Sequence, residues 1–142
     1  MNSLSLFLKK NKKQKKDTTY AATKSLTDEN GKPLLWTIRP ITSKIHDQIR
    51  EDCMIETPVR GKNTVRTKFD STKYIAKVIS ACVVEPNLYS KELQDSYGVM
   101  TPEDLVREMV DDPGEYMAFS AFVNQLCGLD ESMNDKVEEA KN

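Results

Sequence analysis

The chain has 142 residues, a length typical of one domain, and contains 38% hydrophobic and 30% charged residues. Its formal net charge of -1 argues against a protein that coats nucleic acid along its whole length. No apolar run approaches the roughly 20 residues that span a bilayer, and the apolar residues 4–8 are too few for a signal peptide core. We therefore expect a single cytoplasmic domain without a membrane partner.

The first predicted element is a flexible basic arm over residues 1–17. It contains a run of closely spaced lysines: Lys9, Lys10, Lys12, Lys13, Lys15 and Lys16. Such a run repels itself and is typical of a solvated, disordered segment. Lysines can also bind phosphates, but this run has no arginine and no aromatic residue for stacking on bases. The apolar residues before it are a weak indication of docking on a partner or a second copy.

A β-hairpin is predicted next, over residues 18–41 of a single globular domain that extends to residue 129. Asn30-Gly31 lies in a polar turn, and this dipeptide favours hairpins because both residues tolerate positive φ. After the turn, alternation predicts Leu34, Trp36 and Ile38 on one face of the return strand and Leu35, Thr37 and Arg39 on the other. Because a lone hairpin is marginal in water, this face must pack on helices.

About four helices are predicted over residues 42–129, and each has a recognisable first residue. The N-caps are Thr42 or Ser43, Asp70, Thr101 and Asp112. Apolar side chains recur at helical spacing after each cap, including Ile45, Ile49, Tyr74, Val78, Leu105, Met109, Phe119 and Val123. Residues 58–67 are polar and predict a loop, residues 91–97 a short turn, and Gly128-Leu129 a helix stop. The fold class is therefore α+β and mostly α, with an acidic flexible tail over residues 130–142.

Few residues in the sequence offer chemistry. The widely spaced Cys53, Cys82 and Cys127 are interpreted as reduced core thiols rather than metal ligands. The only histidine, His46, is interpreted as a solvated surface residue because no nucleophile lies at a recognisable spacing. The acid pairs at residues 103–104 and 111–112 are explained by helix starts. We predict no catalytic, cofactor-binding or metal-binding residues, and therefore no enzyme.

Several segments occur in a familiar order. They are Asp28-Glu29-Asn30-Gly31-Lys32-Pro33 with Trp36, Ile38-Arg39-Pro40-Ile41-Thr42, residues 74–79, Val84-Glu85-Pro86-Asn87-Leu88, Leu93-Gln94-Asp95-Ser96-Tyr97-Gly98, and Pro113-Gly114-Glu115-Tyr116 leading to Gly128-Leu129. In this combination, over about residues 20–129, the chain resembles the XkdN-like tail assembly chaperones of phages and phage-derived elements. It departs from the family at two places. At Asp111-Asp112 we would expect more apolar residues before the Pro-Gly-Glu-Tyr segment, and in place of Cys127-Gly128-Leu129 we would expect Asn-Gly-Phe at the end of the last helix.

The resemblance implies a binding protein that covers the tape measure protein during tail assembly in the bacterial host cytoplasm. It implies that the protein is released and is absent from the mature virion. Tail tube subunits and a longer, frameshifted form of the chain are further candidate partners. A homo-oligomer remains open. As client-binding residues the sequence suggests Trp36, Tyr97, Met109, Tyr116 and Met117, each of which could instead be core packing.

Two other functions remain open at this point. One is a permanent structural component of the tail, such as a tube or baseplate adaptor, which would be found in purified particles. The other is a nucleic-acid-binding regulator that uses the lysine run, which would lose DNA on raising salt.

Overall fold

The computed structural model describes residues 3–129, in which five α-helices and five short β-strands follow two 3-10 turns, Ser3–Phe7 and Lys9–Asn11. The elements are β1 (Thr18–Tyr20), β2 (Trp36–Ile38), α1 (Ser43–Asp52), β3 (Met54–Pro58), β4 (Val65–Phe69), α2 (Ser71–Cys82), β5 (Val83–Glu85), α3 (Lys91–Tyr97), α4 (Pro102–Met109) and α5 (Pro113–Leu126). The α+β, mostly helical fold class is confirmed. The acidic tail predicted over residues 130–142 lies outside the described residues, as do the first two residues of the basic arm.

The N-terminal hairpin forms as predicted. Strands β1 and β2 pair antiparallel, with Thr18 opposite Ile38 and Tyr20 opposite Trp36. In the turn the Asp28 carboxylate accepts hydrogen bonds from the backbone N–H groups of Asn30 at 2.8 Å and Lys32 at 3.0 Å. Strand β5 pairs with the other edge of β2, so β2 is the central strand of a three-stranded antiparallel sheet that the sequence did not predict.

Aromatic side chains join this sheet to the helices. Trp36 is buried and meets the ring of Phe119 edge-on, with ring centroids 5.5 Å apart. Tyr20 stacks on Phe119 at 5.3 Å and on Phe122 at 4.3 Å. Helix α2 packs against α1, α4 and α5. The core therefore lies between β2 and the helices, and it contains Phe119 and buried side chains of α2.

The helix ends follow the sequence closely. Each of the four long helices has the predicted cap, because the side chains of Thr42, Asp70, Thr101 and Asp112 each accept a hydrogen bond from the backbone N–H three residues later. Helix α5 ends as predicted: Gly128 has φ 71°, and the Leu129 N–H donates to the Asn124 carbonyl at 2.7 Å.

The prediction of a loop over residues 58–67 was wrong at both ends. Strands β3 and β4 form a second hairpin, in which Met54 lies opposite Phe69 and Pro58 opposite Val65. All ten strand residues are exposed. In β4 the alternation of Val65, Thr67 and Phe69 with Arg66 and Lys68 was an available signal, whereas β3 has no such pattern and neither strand has a buried face.

Two interpretations of α1 side chains were also wrong. Ile45, expected to point inward, is 46% exposed. His46, expected to be solvated, is partly buried, and its Nε2 atom lies 2.7 Å from the Tyr74 hydroxyl. The contact of His46 follows from the packing of α2 beside α1, which the spacing of residues within α1 does not reveal.

Candidate functional site

An apolar groove lies between the N-terminal hairpin and helices α3 and α4. Its volume is about 350 Å³. It is lined by Leu26, Leu34, Leu35, Trp36, Glu85, Pro86, Leu93, Tyr97 and Met109. The hairpin supplies one wall, the segment after β5 and α3 supply the other, and α4 reaches the groove through one side chain.

The groove has a buried floor and an exposed rim. Trp36 is 2% exposed and Met109 5% exposed, so these side chains form a fixed floor that is part of the core. At the rim Leu34 is 43% and Leu35 66% exposed. Two adjacent exposed leucines beside an apolar cleft form a surface whose burial by a partner is favourable.

One charge borders this surface. Glu85 is exposed at the rim, and none of the lining residues is basic. The groove therefore fits a segment with an apolar face and accepts a cation at one side.

Three of the five residues suggested from the sequence meet in this groove: Trp36, Tyr97 and Met109. The other two lie on α5, outside the groove. Tyr116 is partly buried beside Arg107 and Pro113, and burial raises the pKa of its hydroxyl while the Arg107 charge opposes that rise. Met117 is 72% exposed and belongs to neither the groove nor the core. Of the five suggested residues, three therefore line the apolar groove and two lie outside it.

The sequence did not reveal the rim. Alternation over residues 34–38 predicts Leu35 on the face opposite Trp36, yet Leu35 also lines the groove, since regular pairing of β2 with β1 begins only at Trp36. The run Leu34-Leu35-Trp36 was the available signal, because three consecutive apolar residues do not fit a half-buried strand.

A second, larger concavity of about 610 Å³ lies between α1 and the β3–β4 hairpin. It is lined by His46, Asp47, Arg50, Glu51, Met54, Phe69 and Tyr74. Charged side chains of both signs border it, and Phe69 packs on Tyr74 with ring centroids 5.3 Å apart. Burial raises the pKa of Tyr74, opposed by the nearby Arg50. With one histidine bound to a tyrosine and no cysteine or serine in its lining, this concavity offers no nucleophile–base pair.

The acid pairs have structural roles, as the sequence indicated. Asp112 caps α5 through the Glu115 N–H at 2.9 Å, and Glu103 forms an ion pair with Lys77 at 3.4 Å that joins α4 to α2. Between residues 3 and 129 there is no cluster of three or more histidine, cysteine or acidic side chains suited to hold a metal ion. Over the same residues, no helix combines the length and apolarity required to cross a bilayer.

Comparisons with known proteins agree on one family. A family model described as "Phage XkdN-like tail assembly chaperone protein" matches residues 4–141. The chain is similar to phage-like element PBSX protein XkdN of Bacillus subtilis strain 168, with 24% identity over 119 residues, which is 84% of this chain and 80% of that protein. It is also similar to the uncharacterized protein YqbN of the same strain, with 24% identity over 139 residues, or 98% of this chain and 93% of YqbN.

A solved structure has a similar fold. The crystal structure of YqbN matches with a TM-score of 0.74 and 18% identity, covering 92% of this chain and 99% of that one. At this identity the likeness shows a shared fold and nothing about partners.

Proposed function

Since the chain belongs to the phage XkdN-like tail assembly chaperone family, we propose that it binds the tape measure protein of its phage or prophage during tail assembly. It acts in the host cytoplasm and is released from the finished tail. Tail tube subunits are the proposed competitor that displaces it, and a longer frameshifted form of the chain is a further proposed partner. The role is one of binding, and no catalytic step is needed.

The apolar groove is the observation that carries this proposal. A tape measure protein is a long helical chain, and apolar helix faces aggregate when they are bare. A groove with a fixed apolar floor and exposed leucines on its rim suits an amphipathic helix laid along it. Covering Leu34 and Leu35 contributes about 1 to 2 kcal/mol for each side chain. Such a contact is weak by itself, but repeated along the client it gives avidity and still permits release.

The Met117 surface is a second proposed contact. Met117 is 72% exposed on α5, and exposed methionines are common on surfaces that adapt to varied partners. Tyr116, one residue earlier, turns inward and is assigned to packing.

Co-expression with the tape measure protein from the same tail gene cluster tests the proposal. We expect a soluble complex with the wild-type chain, and an insoluble client when it is expressed alone. Leu35→Glu places a charge on the groove rim at an exposed position, so the chaperone remains folded but loses the client. Val65→Glu is the matched control, since Val65 is 55% exposed on the β3–β4 hairpin, away from the groove. Met117→Glu tests the second contact.

Two results would overturn parts of this proposal. If the client stays insoluble with wild-type chain and the two never associate, the chaperone role on this client is wrong. If Leu35→Glu and Val65→Glu bind equally well, the role stands but the groove is not the site. A permanent tail component is the alternative, and finding the chain in purified particles would favour it.

A further inference from the structure

Two cysteines lie in contact where the C-terminal ends of α2 and α5 meet. The Sγ atoms of Cys82 and Cys127 are 3.5 Å apart, although the residues are 45 positions apart in the chain. Cys82 is the last residue of α2 and is fully buried, whereas Cys127 caps the C-terminal end of α5 and is partly exposed. Both thiols are free, so the contact joins two reduced sulfurs.

The surroundings of this pair favour one thiolate. Either thiol can donate to the other, and the Ile41 backbone N–H and the Lys15 charge act on both sulfurs, where each favours the thiolate. Because Cys82 is buried and Cys127 is partly exposed, we assign the thiolate to Cys127 and the donating S–H to Cys82. Lys15 is held nearby by donating from Nζ to the Ile41 carbonyl at 3.0 Å. Together these groups outweigh burial and lower the pKa of Cys127 to about 6. The same contact raises the pKa of Cys82, which therefore keeps its proton.

We propose that Cys127 and Cys82 form a thiol oxidation site, in which Cys127 is the attacking sulfur and Cys82 the resolving one. The substrate class is a small two-electron oxidant such as hydrogen peroxide, which can reach the partly exposed Cys127. Cys53 takes no part, because it is fully buried and desolvation raises its pKa.

The reaction balances without a cofactor. The Cys127 thiolate attacks one oxygen of hydrogen peroxide, so that an S–O bond forms, the O–O bond breaks and hydroxide leaves. The Cys82 sulfur then attacks the Cys127 sulfur, and the hydroxyl leaves with the Cys82 proton as water. The hydroxide from the first step takes a proton from solvent. Two thiol sulfurs are thus oxidised to a disulfide while the peroxide is reduced to two waters.

The geometry allows the bond to form. The sulfurs of a disulfide lie about 2 Å apart, so Cys82 and Cys127 must approach by roughly 1.5 Å from their present 3.5 Å. This approach requires rotation of the two side chains and a shift at the end of α5. The bond would link the ends of α2 and α5 and close a loop that contains β5, α3, α4 and α5. Closing such a loop restricts the unfolded chain and stabilises the folded one.

The test uses the reduced full-length protein and equimolar hydrogen peroxide at neutral pH. Remaining thiols are alkylated, and the products are examined by intact mass and non-reducing peptide mapping. We expect a monomer that has lost the mass of two hydrogens, a peptide linking Cys82 to Cys127, and an alkylated Cys53. We also expect the Tm to rise by on the order of 10 °C and to return after adding a reductant.

Single variants assign the roles. Cys82→Ala removes the S–H donor to Cys127, so its oxidation should be slower than in the wild type, but the sulfenic acid that forms should persist and be trapped by dimedone. Cys127→Ala should form no disulfide. Cys53→Ala is the matched control and should give the same disulfide as the wild type. The proposal fails if wild-type Cys53 reacts as fast as Cys127, if the disulfides join separate molecules, or if Cys127 is oxidised further without forming the Cys82 bond.

Discussion

At the scale of single residues, Glu115 links the N-terminal hairpin to α5 by hydrogen bonds. Its carboxylate accepts hydrogen bonds from the Thr23 hydroxyl and the Lys24 backbone N–H, both at 2.8 Å. Thr23 is 1% exposed, so its hydroxyl needs a partner inside the protein. Glu115 itself sits in the first turn of α5, where a negative charge is favourable. One side chain therefore satisfies a buried hydroxyl and connects two elements far apart in sequence.

We predict that Glu115→Ala destabilises the protein by about 2 kcal/mol, because it leaves the buried Thr23 hydroxyl with fewer partners and frees the Lys24 N–H. Urea unfolding of the purified protein measures this change. Glu108→Ala is the matched control, since Glu108 is an exposed acid on the neighbouring α4, and its effect should stay within about 0.5 kcal/mol. Equal effects of the two variants would show that the Glu115 contacts are not important for stability.

The Tyr116 hydroxyl gives the opposite prediction. It is buried and has no hydrogen-bond partner among residues 3–129. Removing an unpaired buried hydroxyl costs nothing in lost bonds, so Tyr116→Phe should leave the free energy of unfolding unchanged or raise it by about 1 kcal/mol at neutral pH. A loss larger than about 1 kcal/mol would indicate a partner beyond residue 129.

Tyr116 should also affect stability in alkali. Burial raises the folded-state pKa of this hydroxyl above its usual value of 10.0, so folding favours its protonated form. The stability that this provides is fully present below about pH 10 and is lost as the pH rises through the folded-state pKa. Thermal melts of wild type and Tyr116→Phe between neutral pH and about pH 11 should therefore diverge, with the variant losing less. Burial also raises the pKa of Tyr74, so both the wild type and the variant should lose some stability over this pH range.

At the scale of elements, the β3–β4 hairpin differs from the rest of the fold. Its ten strand residues are all exposed, and a hairpin without a buried face is marginal in water. The backbone N–H of Asp70 donates to the Cys53 carbonyl at 2.8 Å and anchors its base. The hairpin is thus a projection held by its own pairing and by one anchored end.

Hydrogen exchange should show this difference. We predict that backbone amides in β3 and β4 exchange on the order of 100-fold faster than those of α2, because local opening of the hairpin exposes no core. Amides of β2, the central strand of the other sheet, serve as the control and should be protected. Slow exchange in β3 and β4 that becomes faster on dilution would instead reveal that a second copy covers the hairpin.

At the scale of the whole molecule, one aromatic cluster couples sheet and helices. Phe119 on α5 is fully buried and contacts both Tyr20 on β1 and Trp36 on β2. These contacts leave no separate core for the N-terminal hairpin, which shares the core of α2, α4 and α5. Unfolding of residues 18–129 should therefore be cooperative.

Two measurements check this. Unfolding followed by Trp36 fluorescence, which reports on the sheet, should coincide with unfolding followed by helical circular dichroism. Phe119→Ala should lower the free energy of unfolding by about 3 to 5 kcal/mol through loss of buried area and the cavity left behind. Phe7→Ala, at an 84% exposed position before the domain, should change it by less than about 0.5 kcal/mol. Two separate transitions would contradict a shared core.

The apolar groove was only partly visible in the sequence. Trp36, Tyr97 and Met109 were suggested because large apolar or amphipathic side chains favour interfaces, and the structure brings these three together. Tyr116 and Met117 were suggested on the same grounds, but they lie outside the groove. Residue type indicates which side chains can bind, whereas the meeting of a hairpin, the β5–α3 segment and α4 at one cleft depends on packing between distant parts of the chain.

The sequence by itself determined the local features: the Asn30-Gly31 turn, the four N-caps and the Gly128 stop. Each depends on residues within a few positions of one another, where backbone conformation and capping hydrogen bonds act directly. Only the tertiary structure decided that β5 joins β2, that residues 54–69 form a projecting hairpin, that His46 meets Tyr74, and that Cys82 meets Cys127. The β3–β4 hairpin is local but has no buried face to mark it in the sequence, whereas the other three contacts join distant residues and depend on how the elements pack.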